Sequence, residues 1–261
     1  MAHVLFGLTI EVAPSLRGEN IALPDIGASS GALMTPVEEQ RLGRQFMRSV
    51  RRSLPVIDEP LLAEYIDNLG QRLISFADRG QRAFHFFLID QQAINAFAGP
   101  AGHVGVFSGL VLATESESEL ASVVAHEIAH VTQDHLVRAF ENASQMSGPT
   151  AALLLAAIIL GATVGGDAGI AAAAGVQAAA VQQQLNFTRE NEKEADRVGI
   201  GILAEANFDP HAMPVFFERM AKASRLYENN APEFLRTHPV TTNRIADAMG
   251  RADSYPYRQR P

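Results

Sequence analysis

Along this chain the apolar positions change spacing twice. From residue 35 to about 73 they recur every three or four places, from 84 to 109 they fall in short aromatic or β-branched blocks, and beyond 114 the helical spacing returns. Thr35-Pro36-Val37-Glu38 reads as a helix start, with Thr35 as N-cap, Pro36 at the first helical position and Glu38 closing a capping box; this helix should run to about Arg52. A second helix should follow Asp58-Glu59-Pro60, with Leu61, Leu62, Tyr65, Ile66, Leu69 and Leu73 at helical spacing. "FHFFLID" (84–90), "AINAFA" (93–98) and "HVGVFSG" (103–109) predict two or three strands of a small sheet, with a tight turn at "GPAG" (99–102).

Thr114-Glu115-Ser116-Glu117 is a further capping-box pattern, and the helix it opens has Leu120, Val123, Val124, Ile128 and Val131 for a buried face. A third long helix is predicted over about 180–206, and Asp209-Pro210 reads as the start of another, to about 228. "THPVTTNRIADAM" (237–249) should be a loop leading into a last short helix. The organisation expected is a loose Gly-, Ser- and Pro-rich lead-in (1–34), one mainly helical α+β domain (35–252) and a short tail (253–261), with no internal repeat.

One segment stands apart. Residues 149–166 carry no charge, and 168–181 follow after the single Asp167. Eighteen residues just reach the length of a transmembrane helix, but these are rich in Ala and Gly and lack a basic flank. A helical hairpin joined near "GGDAG", buried, lying against a membrane surface or acting as a lid over a cleft, is the expectation for 149–181.

Composition narrows the function. A net charge of −8 over 261 residues excludes a nucleic-acid surface, which needs a basic footprint. The absence of cysteine excludes disulfides, a thiol nucleophile and Cys-ligated zinc, so a metal site must use His, Asp and Glu. The first fifteen residues have an apolar stretch without a basic start, and Glu11 interrupts it, so they make a poor signal peptide.

The chemistry concentrates in "SVVAHEIAHVTQDH" (122–135), where His126, Glu127 and His130 form H-E-x-x-H. Residues four apart share a helix face, so His126 and His130 can offer two nitrogens to one ion. Glu127 is turned about 100° from His126, where a general base for a bound water belongs. Chance is the plain alternative, but the neighbours Val123, Ala125, Ala129 and Val131 are apolar, and ionisable groups there need a partner. For a third ligand, the class using H-E-x-x-H-x-x-G-x-x-H does not fit, because Gln133 replaces the Gly and His135 comes one place early. "ENEKEAD" offers Glu190, Glu192 and Glu194 on a second helix; Glu192 is favoured, since Asp196 lies one turn on and can hold a ligand histidine's tautomer. A solvated acidic face is the commonest meaning of such a run taken alone.

"HEIAH", "ENEKEAD" and "THP…NR", with "NAFA" and "FDPHAMP" in order around them, resemble the HtpX-like and CAAX-protease-like family of zinc peptidases. The resemblance spans about residues 23–252 and implies a zincin-type domain with zinc on His126, His130 and Glu192 and with Glu127 as catalytic carboxylate. It further implies a periplasmic location and quality control of outer-membrane proteins, with unfolded or stalled proteins as substrates and the β-barrel assembly machinery as a partner. Proteins most like this one continue into a helical-repeat domain; the sequence stops at "SYPYRQRP", so a peptidase domain without repeats is expected.

The tetrahedral oxyanion needs a second donor, and the late polar loop offers His238 and Arg244. His238 has three readings: oxyanion donor, fourth zinc ligand that keeps the enzyme latent, or turn residue before Pro239. Arg244 suits a structural ion pair with Asp247 or an acid of the 190s better than a catalytic role. His3, His85, His103, His135 and His211 are expected to be bystanders, His103 the least securely: its strand, with Val104, Gly105 and Val106, is either an ordinary internal strand or, as the family resemblance implies, a sheet edge that pairs with substrate backbone. Three functions follow: a zinc endopeptidase of envelope proteins, a zinc-bearing scaffold or chaperone that binds them uncut, or a membrane-embedded peptidase anchored through 149–166.

Overall fold

Helix α1 (Pro36–Ser53) opens as its sequence demands: the Thr35 hydroxyl accepts from the Glu38 amide at 3.3 Å, and the Glu38 carboxylate accepts from the Thr35 amide at 2.8 Å. The protein is described by a computed structural model over residues 35–77, 80, 82–144, 178–226 and 232–256. The expected lead-in, all of the 149–181 segment before residue 178, and the end of the tail lie outside the described residues. In α2 (Pro60–Ile74) the Glu59 carboxylate caps the Leu62 amide, and Ile66, Leu69 and Leu73 face the core. Leu61, Leu62 and Tyr65 instead lie exposed near the helix start.

The three expected runs form β2 (His85–Ile89), β3 (Ala96–Ala98) and β4 (His103–Phe107), and a short strand that the pattern did not predict, β1 (Val56–Ile57), joins them in a mixed sheet of order β1-β2-β4-β3. β4 pairs with β2 in parallel and with β3 antiparallel. It is therefore internal, and the edge role expected of His103, Val104, Gly105 and Val106 is corrected: neighbours on both sides take their backbone groups. Among the described residues β3 is the outermost strand on this side. "GPAG" does join β3 to β4, closed by Gly99 N–H donating to the His103 carbonyl at 2.6 Å. Gly102 sits at φ +72°, where a Cβ would lie 2.0 Å from the Ala83 carbonyl oxygen. Gly102→Val is expected to destabilise the fold by at least about 1–3 kcal/mol, read as a lower denaturant midpoint with unchanged slope.

The remaining elements are helical: α3 (Ser108–Ala113), α4 (Glu117–Thr132), α5 (His135–Ser144), α6 (Ala178–Glu205), α7 (Ala212–Leu226), α8 (Glu233–Thr237) and α9 (Thr242–Ala252). α4 is the central rod, buried on every side from Glu119 to Ala129 and packed against α6, α2, α7 and β3. Its cap lies two residues later than the pattern at Thr114 suggests. Ser116 caps the Glu119 amide, Glu119 accepts from the Glu115 amide, and Thr114 instead terminates α3. α7 also starts two places late, because the Asp209 carboxylate holds the His211 amide in a turn first. At Gly199 of α6 a Cβ would lie 3.2 Å from the His126 amide nitrogen, so the missing side chain lets α6 approach the α4 backbone closely. Phe216, Phe217, Phe234, Ile128 and Leu203 fill the core below. Among the described residues no helix is long and apolar enough to cross a membrane.

Candidate metal centre

The close approach of α4 and α6 decides the site. α4 supplies His126 and His130 one turn apart, and α6 supplies Glu192 and Asp196 one turn apart. His238 comes from the end of α8, where its amide donates to the Phe234 carbonyl at 2.7 Å. The three imidazoles and one carboxylate meet. His126 Nε2 lies 3.0 Å from His130 Nε2 and 3.3 Å from His238 Nδ1. Glu192 stands 3.4 Å from both His126 Nε2 and His130 Nε2, and 3.1 Å from His238 Nδ1. One donor atom from each of the four residues fits within 4.8 Å. Glu190 is exposed, and Glu194 is turned toward His135, so of the three candidate acids only Glu192 enters the cluster.

The donor set suits a metal ion. His126 Nδ1 lies 3.0 Å from the buried Asp196 carboxylate, so in the neutral ring it keeps its proton there and Nε2 presents a lone pair. That lone pair faces another imidazole nitrogen at 3.0 Å, a third imidazole and a carboxylate, and a metal cation would satisfy them together. The same conflict sets the proton affinities. Burial disfavours a charge on His126, but Asp196 and Glu192 outweigh it and raise its pKa to about 10. Burial, with the charges of His126 and His238, takes His130 down to about 3. Glu192 is held well below the carboxylate range: burial pushes it up, but His238 and hydrogen bonds from the histidines dominate.

Glu127 sits beside this cluster, fully buried, with its Oε1 lacking a hydrogen-bond partner among the described residues. His238 Nε2 is 3.4 Å from that oxygen, and the Ala98 backbone of β3 lies near enough to lower the carboxylate's proton affinity slightly. Burial raises its pKa above the ordinary value, a shift suited to a group that takes and returns protons.

Arg244 departs from the catalytic place considered for it. Its Nε and Nη2 bind both oxygens of Asp196 at 2.7 and 2.8 Å, and Nη1 reaches Glu192 at 2.8 Å and the Pro239 carbonyl at 2.9 Å. It is the structural ion pair with acids of the 190s, while Asp247 is taken by Arg197. His103 is outside the site, donating Nδ1–H to the Pro100 carbonyl and lying against His85 and Phe46. His135, expected to be a bystander, is buried against His130, with 2.8 Å between the two Nδ1 atoms. Its sequence signal lay in the turn. Asp134 adopts φ +57°, which reverses the chain after α4 and folds His135 back onto the ligand face.

The profile of peptidase family M48 matches residues 60–252. The chain belongs to that family. It is 43% identical over 254 residues to the β-barrel assembly-enhancing protease of Escherichia coli, covering 97% of this chain and 52% of the relative. The corresponding protease of Yersinia pestis is 45% identical over 231 residues, 88% of this chain and 47% of the relative. A mitochondrial metalloendopeptidase of Danio rerio, OMA1, is 30% identical over 206 residues, 77% of this chain and 42% of the relative. The chain thus spans about half the length of the curated relatives it matches. As an M48 metallopeptidase it takes zinc, and the His126, His130, Glu192 and His238 cluster is the group that can hold it. The family resemblance drawn from the motifs stands.

Proposed function

We propose that this chain is the peptidase unit of an envelope quality-control protease, cutting unfolded or misassembled outer-membrane proteins in the periplasm. The observation that carries the reading is the buried Glu127 carboxylate beside four convergent metal donors. The envelope setting rests on the identity to proteases named for β-barrel assembly. His126, His130 and Glu192 would hold zinc, with Asp196 orienting His126. When bound, zinc lowers the pKa of a coordinated water toward neutrality and polarises a peptide carbonyl. Glu127 Oε1 receives the water proton and returns it to the leaving amine. Buried between the helices, it does so without competing solvent. An extended client would approach along β3, the outermost described strand on the Glu127 side of the sheet.

His238 favours the latent state over the oxyanion role. Its Nδ1 lies 3.1 Å from Glu192 and its Nε2 3.4 Å from Glu127, so with zinc bound it would compete with water for the open ligand position. His238→Ala is expected to raise cleavage several-fold while zinc content stays stoichiometric; an oxyanion donor would instead lose activity on removal. The whole reading is tested by incubating zinc-loaded protein with a urea-unfolded outer-membrane β-barrel, with and without a chelator, and following fragments by mass spectrometry. Chelator-sensitive fragments support it. Zinc-bound protein of either form, wild type or His238→Ala, that retains the client intact would leave a non-cutting scaffold.

A further inference from the structure

Each ligand histidine on α4 presents Nε2 to the cluster and turns Nδ1 the other way. For His126 that second nitrogen meets Asp196, which Arg244 clamps. For His130 it meets another imidazole: His135 Nδ1 lies 2.8 Å from His130 Nδ1, and His135 Nε2 lies 3.1 Å from Glu194. Arg138 in turn donates to Glu194 at 3.0 Å. We infer that His135, held by Glu194 and Arg138, is a positioning residue that fixes the tautomer and angle of the ligand His130.

This rests on the reading of His130 as a zinc ligand, and the proton placement then follows from valence. To offer Nε2 as a lone pair, neutral His130 must carry its proton on Nδ1. Two imidazole nitrogens at 2.8 Å can share only one proton, so His135 Nδ1 must be the acceptor. The proton of His135 therefore sits on Nε2, where Glu194 accepts it and Arg138 offsets the carboxylate charge. Every group in the chain from His130 to Arg138 has one direction available to it. The reverse order would put a proton on His130 Nε2, in the middle of the ligand atoms. His135 is 4% exposed, so water cannot readily substitute for the missing acceptor. The two ligands thus have similar supports, His–carboxylate–Arg in both cases, with the His135 imidazole inserted between His130 and Glu194.

The test uses the whole chain and zinc binding rather than turnover. His135→Ala removes the acceptor; His135→Asn keeps an oxygen near the Nδ1 position and should restore it. Zinc affinity is measured by competition with a chromogenic chelator, and the visible spectrum of the cobalt-loaded protein reports ligand geometry. His135→Ala is expected to weaken zinc binding about 10–100-fold and shift the cobalt bands, with His135→Asn within a few-fold of wild type. Thermal melting of the chelator-treated proteins separates a packing role: a purely structural His135 would lower the apo melting temperature in both variants and leave affinity and spectrum unchanged, which would overturn the inference. His130→Ala guards the underlying reading. If that variant binds zinc like wild type, the ligand assignment fails; if it loses zinc while His135→Ala does not, only the positioning role fails.

Discussion

Glu127→Gln is expected to cut peptide hydrolysis by about 10²–10⁴-fold while zinc stays bound at one equivalent. The substitution keeps shape and volume and removes only the ability to take a proton. Glu127 is not among the four residues whose donor atoms converge, so metal content should be untouched. Its surroundings also predict that the variant folds: the side chain is buried, and among the described residues Oε1 has no hydrogen-bond partner that the amide would lose. A variant that melts at the wild-type temperature, binds zinc and leaves an unfolded β-barrel protein uncut assigns the proton transfer to this residue. Cleavage within tenfold of wild type would move it elsewhere, and His238, whose Nε2 lies 3.4 Å from the same oxygen, would be the next group to remove.

How far the sequence led depended on whether the signal was local. The capping box at Thr35, the H-E-x-x-H face of α4 and the Glu192–Asp196 turn of α6 were legible because helix periodicity alone aligns them. Strand order was not. β4 reads as a short apolar run wherever it lies in the sheet, and only pairing with β2 and β3 on opposite sides makes it internal. Arg244 and His135 show the same limit from the other direction. Arg244 joins Asp196 across 48 residues, and His135 reaches His130 only because Asp134 turns the chain at positive φ. A residue's partner across the fold leaves no periodic trace, so loss of stability on its removal is the better guide to its role.

Arg244→Ala should therefore be the most damaging change outside the ligands. The guanidinium is 2% exposed and neutralises two buried carboxylates, Asp196 through both oxygens and Glu192 through one. Removing one member of a buried ion pair typically costs about 3–5 kcal/mol, because the partner is left charged in a low-dielectric site. For a chain of this size that is a fall in melting temperature on the order of 10 °C. The loss should be larger after chelation than with zinc, since bound zinc supplies positive charge to Glu192 whereas nothing replaces the clamp on Asp196. Arg244→Lys should recover only part of it, as one ammonium cannot reproduce the forked contact. Arg197→Ala is the matched control: its pair with Asp247 is 49% and 35% exposed, and removal should change stability by less than about 1 kcal/mol. If the two arginines prove equally dispensable, the acidic pair on α6 is neutralised by protons rather than by Arg244. The low carboxylate pKa of Asp196, which burial raises and the Arg244 and His126 contacts more than reverse, would then lose its cause.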